Sequence, residues 1–286
     1  MRSYAKINIG LRIVGKRPDG YHDIETIFKI ISLSDTISIE KNELEKVRLF
    51  SQQNIPLDET NIAAKAVRLI ENETGKSIGV DIHLEKSIPI GAGLGGGSSN
   101  GACVLTGVNR LFELNLSDSK LMELGAQLGS DVPFFVGFLL EKGNTAIGKG
   151  RGEMLEFFQW NLTEKILLVY PNIGISTPWA YQNFKTYLDA QHTEKSSLNL
   201  TNRAKSIMFS APLEKKAFLG NDFEPLVFAK HDKIRVLREA LENENAVFAR
   251  MSGSGSTVFG LFEKTRNLEK IKSGWSDCFV TVCDFV

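Results

Sequence analysis

The sequence predicts an α+β protein, and three observations carry that expectation. Strand-period and helix-period segments are mixed along the chain without regular βαβ alternation. A glycine-rich run, Pro89-Ile90-Gly91-Ala92-Gly93-Leu94-Gly95-Gly96-Gly97-Ser98-Ser99, joins a strand-like segment to a helix-like one. From about residue 155 the pattern restarts, which divides the 286 residues into two units, 1–155 and 156–286.

The first element is a strand over residues 5–13. Ala5, Ile7, Ile9, Leu11 and Ile13 share one face, and Lys6, Asn8 and Gly10 fall together on the other, non-core face. Pro18-Asp19-Gly20 marks a turn. Strand-like sequence follows from Ile24 to Ile39, interrupted at Ser34-Asp35. Thr60 or Asn61 caps a helix carrying Ile62, Ala66, Leu69 and Ile70, and Gly75 stops it. Val80, Ile82 and Leu84 alternate as a strand before the glycine run, and Ala102, Leu105, Val108 and Leu111 follow it at helical spacing. A further helix starts at Ser117-Asp118 and ends at Gly129. Val132 to Leu140 then reads as a very apolar strand.

In the second unit, Ile166–Tyr170 is a short strand closed by Pro171-Asn172. The polar stretch 183–221 reads as helix and surface loop. Ile234, Leu237, Ala240 and Leu241 mark a helix. Ala246–Met251 and Thr257–Phe262 are strands joined by a Ser/Gly turn, and Phe279–Phe285 is the last strand.

The glycine run is the strongest chemical signal. Glycine allows backbone N–H groups to approach a ligand closely, and the following helix aims its positive end at the same place. That pairing binds phosphate. No Gly-x-x-x-x-Gly-Lys-[Ser/Thr] occurs, and no strand-end acid lies about 20 residues beyond the run, so neither a Walker A loop nor a dinucleotide fingerprint fits.

Charge excludes other classes. Lysine plus arginine and aspartate plus glutamate number 34 each, so no global field favours nucleic acid or an anionic membrane. Arg2, Lys6, Arg12, Lys16 and Arg17 form a local basic cluster, either a solvated strand face or a site for an anionic substrate. The three cysteines and four histidines lack disulfide or metal-ligand spacing. No apolar leader or membrane-length run is present, so a cytoplasmic protein is expected.

Three further segments invite chemistry. Asp131, between a helix end and apolar sequence, could simply close a turn or could be a desolvated base. Ser252-Gly253-Ser254-Gly255-Ser256 is an ordinary wide hairpin, or a loop that approaches another loop or a phosphate. Tyr21-His22 and Thr177-Pro178-Trp179-Ala180-Tyr181 supply aromatics that either fill core or stack on a base.

Together these segments resemble the GHMP kinase superfamily of small-alcohol kinases. The glycine run matches its phosphate loop. Ala5-Lys6-Ile7-Asn8, Lys16-Arg17-Pro18-Asp19-Gly20-Tyr21-His22, Gly129-Ser130-Asp131-Val132-Pro133, Asn221-Asp222-Phe223-Glu224-Pro225 and Met251–Ser256 match in family order. The Lys16–His22 string is similar to one branch, which acts on an alcohol carrying a cytidine diphosphate in non-mevalonate isoprenoid synthesis. The resemblance implies a two-domain fold, an N-terminal ribosomal-protein-S5-like nucleotide domain and a C-terminal ferredoxin-like substrate domain. It implies ATP and Mg²⁺, with Ser98 or Ser99 near the ion and no ligand set otherwise identified. It implies Lys6 and Asp131 as the catalytic pair, Asn61, Ile62 and Lys86 by the adenine, and Asn8, Tyr21, His22, Thr177 and Tyr181 on the substrate. No nucleic-acid or membrane partner is expected, and the chain would act as monomer or homodimer. Another small-alcohol kinase of the superfamily, or a non-catalytic nucleotide binder on the same fold, are the alternatives. Tyr4 and Gly101 depart from the family's usual proline and alanine.

Overall fold

The alternation at residues 5–13 becomes β1 (Arg2–Lys16), which pairs antiparallel with the long β2 (His22–Lys41). The computed structural model describes residues 1–191 and 219–286, so most of the polar stretch 183–221 lies outside the described residues. The expected break at Ser34-Asp35 is a bulge rather than an end. Tyr4 faces Ser34 but Ala5 faces Ile31, and β2 runs on to pair with β4 (Val80–Glu85). A four-residue strand β3 (Val47–Phe50), which sequence reading did not find, pairs parallel with β4. Strands β5 (Thr145–Lys149) and β6 (Met154–Phe158) were also not expected and complete a six-stranded sheet on β2.

Helix α1 (Ile62–Thr74) is capped by the Asn61 side chain, which accepts from Ala63 N, and ends at Gly75 with φ +66°. Helix α2 (Gly96–Leu111) opens directly out of the glycine run, and α3 (Asp118–Leu128) is capped by Ser117 and stopped by Gly129. The apolar run after Asp131 is not a strand. It forms α4 (Val132–Leu139), with Pro133 in the first turn, where its missing N–H costs nothing. A fully buried run has no polar face to reveal its period, and proline inside it argues against a central strand. These four helices cover one face of the sheet in a core that includes Phe28, Ile30, Val67, Val104, Phe134 and Val136.

The second unit contains β7 (Lys165–Tyr170), α5 (Thr177–Gln191), α6 (Glu224–Lys230), α7 (Asp232–Asn243), β8 (Phe248–Met251), β9 (Val258–Phe262), α8 (Glu269–Lys272) and β10 (Phe279–Cys283). Its four strands are all antiparallel in the order β10-β7-β9-β8. That order, with hairpin-linked β8 and β9 and helical crossovers on either side, is the split βαβ arrangement of ferredoxin-like sheets.

Two cores fix how the sheets meet. Ile7, Ile9, Ile27 and Ile31 pack with Ile166, Leu168, Phe259 and Leu261, so one face of β1 lies against the second sheet. Ala92 and Leu94 of the glycine run join the same cluster. Each fully buried aliphatic side chain there contributes about 1.5–3 kcal/mol relative to exposure. The other face of the second sheet, with Leu167, Val169 and Val258, carries α5, α6 and α7. Lys6 and Asn8 point away from the shared core, as the alternation requires, yet both are buried. Their face of β1 lies beneath the glycine run instead of in solvent.

Candidate active site

The backbone of the glycine run is set by contacts that only glycine permits. Gly93 has φ +78°, and a Cβ there would stand 2.4 Å from the Ser252 carbonyl oxygen. Gly95, with φ +72°, is the N-cap of α2, and its Cβ would meet Phe135 at 2.8 Å and the Lys6 stem at 3.1 Å. The first N–H groups of α2 are therefore presented close to Lys6, with the helix dipole behind them.

The Ser252–Ser256 loop approaches another loop, which was one of its two expected uses. The Ser252 hydroxyl donates to Gly93 O at 3.0 Å and accepts from Asn8 N at 3.3 Å, while Thr257 N donates to Ala92 O at 3.3 Å. Asn221 holds this loop in turn, donating to Met251 O at 2.7 Å and Gly253 O at 2.8 Å. Residues of the second sheet thus support the glycine run from below.

Asp131 precedes α4 but its side chain makes no capping hydrogen bond. Its carboxylate lies 3.2 Å from the Lys6 ammonium, with Lys6 buried and Asp131 31 % exposed. The turn-closing role considered for Asp131 is not what its side chain does. Lys6 also donates to Asn8 Oδ1 at 2.7 Å, and the Asn8 amide donates to Thr26 Oγ1 at 2.7 Å. Asn8 therefore bridges Lys6 and Thr26 and helps to orient the ammonium.

These groups line one cavity of about 690 Å³. Its walls include Pro89 through Ser98, together with Lys6, Asn8, Asn61, Ile62, Lys86, Asp131, Thr177 and Tyr181. Ser99 does not line it, because its hydroxyl accepts from Ser3 at 2.8 Å beneath the loop. Tyr21 and His22 are not in the wall either. Tyr21 is 56 % exposed, so it is no core residue, and the Arg151 guanidinium sits 4.9 Å over its ring. Arg151 does line the cavity, which puts Tyr21 at its rim. His22 stacks on Tyr181, ring centres 5.3 Å apart, and Phe223 meets Tyr181 edge-on. Burial, and then the nearby Asp131 carboxylate, raise the Tyr181 phenol far above its ordinary value, so it stays neutral. The Thr177 hydroxyl lies 2.8 Å from that of Ser254.

Sequence reading missed several wall residues: Asn54, Ile55, Pro56, Asn100, Arg151 and Phe223. Asn61 was a signal for the first group, since its amide donates to Pro56 O at 2.7 Å and fixes that loop. Nothing local marked Arg151. Lys86 is expected beside a ligand, and it does line the cavity, but its ammonium is held by Asp35 and by Asn100 Oδ1 at 2.8 Å. Of the five basic residues near the N-terminus only Lys6 lines the cavity, and Arg17 pairs instead with Asp19 and Asp23. Ile62 packs over Gly101, where an added Cβ would lie 3.0 Å from Ile62 Cγ1, which accounts for the missing alanine side chain.

The donor set bears on Mg²⁺. No group of three His, Cys, Asp or Glu side chains could hold a metal among the described residues. A nucleotide-borne magnesium ion needs only one or two protein oxygens, and the Ser98 hydroxyl in the wall can supply one.

Comparison with known proteins agrees with this architecture. Residues 61–137 match the GHMP kinase N-terminal domain, and residues 208–281 match the GHMP kinase C-terminal domain. The 4-diphosphocytidyl-2-C-methyl-D-erythritol kinase of Prosthecochloris aestuarii is 39 % identical over 271 residues, covering 94 % of this chain and 91 % of the relative. The enzyme of the same name from Chlorobium chlorochromatii is 41 % identical over 261 residues, covering 91 % and 87 %. A crystal structure of 4-(cytidine 5'-diphospho)-2C-methyl-D-erythritol kinase superposes with a TM-score of 0.78 at 28 % identity, covering 100 % of this chain and 99 % of that one. Methanococcus jannaschii mevalonate kinase shares the fold, with a TM-score of 0.68 at 14 % identity over 100 % of this chain and 98 % of that one.

Proposed function

We propose that this chain, which belongs to the GHMP kinase family, transfers the γ-phosphoryl group of ATP to the 2-hydroxyl of 4-diphosphocytidyl-2-C-methyl-D-erythritol. This would place it in the non-mevalonate route to isoprenoid precursors. The observation that carries the reading is the Lys6–Asp131 contact of 3.2 Å, placed under the opening of α2 in a cavity that also reaches Tyr181. The curated relatives of the same length support the choice of alcohol.

Phosphoryl transfer has a loose transition state, so the protein mainly positions groups and neutralises charge. In our reading the N–H groups of Gly93 to Gly97 hold the ATP phosphates, with adenine beside Asn61, Ile62 and the Lys86 stem. The substrate hydroxyl donates its proton to the Asp131 carboxylate as its oxygen bonds to the γ-phosphorus, and ADP leaves. Lys6, held by Asn8, fixes the Asp131 carboxylate in place and offsets the charge developing on the transferred group. Bound Mg²⁺ would neutralise phosphate charge, with Ser98 as the candidate protein oxygen. Thr177 and Tyr181 line the substrate side, with His22 behind Tyr181 and Tyr21 at the rim.

We take residues 1–155 as the nucleotide unit and 156–286 as the substrate unit; the two sheets part close to that point, with β6 of the first sheet running on to Phe158. The chain would act as a monomer or a homodimer. No described helix is long and apolar enough to cross a membrane, and a biosynthetic kinase of small molecules fits the cytoplasm. The deciding experiment mixes the protein with MgATP and a panel of alcohols and follows ADP release. Turnover is expected with the diphosphocytidyl alcohol and little with mevalonate, homoserine or galactose. Comparable turnover of mevalonate would overturn the assignment.

A further inference from the structure

The most completely satisfied carboxylate in the described molecule belongs to Asp35, at the bulge of β2. It is 0 % exposed. Its Oδ1 accepts from Ser87 N and Ile88 N, both at 2.8 Å. Its Oδ2 accepts from the Lys86 ammonium and from the Asn100 amide at 2.9 Å. The first three donors come immediately before the glycine run, and Asn100 comes immediately after it. Asn100 also donates to Ser3 Oγ at 2.8 Å, and that hydroxyl donates to Ser99 Oγ at 2.8 Å. The network therefore ties both ends of the loop to one charge anchored in the central sheet.

A buried carboxylate is costly unless its lone pairs are filled, and a partly filled network is worse than none. Fold stability alone would be served as well by apolar residues at this place. Neither Asp35 nor Ser3 touches the cavity, whereas Lys86, Ile88 and Asn100 line it. Among the described residues, the donors to Asp35 all come from the two ends of the loop.

We infer that Asp35 is a positioning residue for the nucleotide site, acting as a clasp that sets the spacing of the glycine loop and the place of the Lys86 ammonium. The inference rests on the reading that this loop holds ATP phosphates. Fixing a loop in its bound shape reduces the ordering cost of binding. Its loss should therefore appear in nucleotide affinity while the alcohol side and the Lys6–Asp131 pair are spared.

Asp35→Asn keeps the size and one acceptor but turns an amide N–H₂ toward donors. In the folded variant, calorimetric affinity for a non-hydrolysable ATP analogue should fall on the order of tenfold, as expected when a buried charged donor loses its partner. KM for ATP should rise in step, with KM for the alcohol and kcat at saturating ATP within about twofold of wild type. Ser3→Ala removes the Ser3 link between Asn100 and Ser99, together with the hydroxyl's contact to the Cys103 thiol, and should weaken the analogue by about two- to fivefold in the same direction. It decides the matter if Asp35→Asn does not fold. Unchanged analogue affinity in the folded variants, or equal losses for ATP and alcohol, would reduce Asp35 to a structural residue. A wild-type protein that binds the analogue but phosphorylates no alcohol would break the proposed function and leave this titration to judge Asp35.

Discussion

Two lysine–aspartate pairs flank the glycine loop, and they are built for opposite purposes. In the Lys86–Asp35 pair the carboxylate is fully buried, and four donors from the loop ends and α2 occupy its oxygens. In the Lys6–Asp131 pair the ammonium is buried, but the carboxylate is 31 % exposed and free of any capping bond to α4. The residue types are the same and both lysines line one cavity, but of the two aspartates only Asp131 reaches it. What differs is the number of lone pairs left over. A carboxylate whose oxygens are filled can hold a loop but cannot accept a substrate proton, whereas Asp131 keeps acceptor capacity toward the cavity. Chemistry follows incomplete satisfaction, and architecture follows complete satisfaction.

The strongest way to break this contrast is Asp131→Asn. The variant keeps the shape and removes the proton acceptor, so kcat should fall by on the order of 10²-fold or more, with ATP affinity nearly unchanged. Steady-state kinetics beside an ATP-analogue titration give both numbers. A near-normal kcat would make the Asp131 pair as structural as the Asp35 pair.

The contrast also requires that base recognition be separable from both pairs. Tyr21 is exposed at the rim, so Tyr21→Ala should cost the diphosphocytidyl substrate about 1–3 kcal/mol, or roughly 5- to 150-fold in Kd. Melting temperature and ATP-analogue affinity should hold, and Tyr21→Phe should be milder. Equal weakening of both ligands would leave the cytidine reading on family likeness alone.

Gly95→Val probes the point where the loop and the reacting pair touch. Its Cβ would meet Phe135 at 2.8 Å and the Lys6 stem at 3.1 Å, at a φ of +72° that a β-branched residue resists. Nucleotide affinity should drop about tenfold, in line with backbone strain of roughly 1–3 kcal/mol. Because Lys6 must shift, kcat should drop as well, which Asp35→Asn is not expected to do. An unchanged kcat at saturating ATP would show that Lys6 tolerates displacement.

A third buried lysine sharpens the comparison: among the described residues no acidic side chain pairs with it. Lys29 is fully buried and donates to the main-chain oxygens of Trp160 at 2.9 Å and Val286 at 3.2 Å. Burial pushes its pKa down to about 7 from an ordinary 10.5. Between those values the unfolded chain carries a proton that the folded one does not, so raising the pH through this window stabilises the fold. Below it the buried charge costs stability. The melting temperature of wild type relative to Lys29→Met should therefore climb by a few degrees from pH 7 to pH 10, an effect of about a kcal/mol or more. A parallel pH dependence in the two proteins would mean that Lys29 titrates normally.

Local signals made much of this legible in advance. The alternation in β1 placed Lys6 and Asn8 on one face, and Asn61, Gly75, Ser117 and Gly129 set helix ends where they are found. The glycine run was readable because its composition has few other uses between a strand and a helix. Helix α4 was misread as a strand because a run buried on all sides shows no period. Strands β3, β5 and β6 escaped because short segments take their identity from the strand they pair with, and that partner is distant in the chain.

The sequence by itself determined which residue types were available for chemistry: a phosphate-binding turn, one lysine on the non-core face of the first strand, and one aspartate at a helix junction. Only the tertiary structure decided what each charge does. Asp35 and Asp131 are indistinguishable as letters, each preceded by a serine. Their roles diverge because β2, the loop ends and α2 converge on Asp35 and fill its oxygens, while the start of α4 leaves Asp131 at an open wall. The filling of lone pairs is a property of neighbours brought together by folding, and no local pattern encodes it.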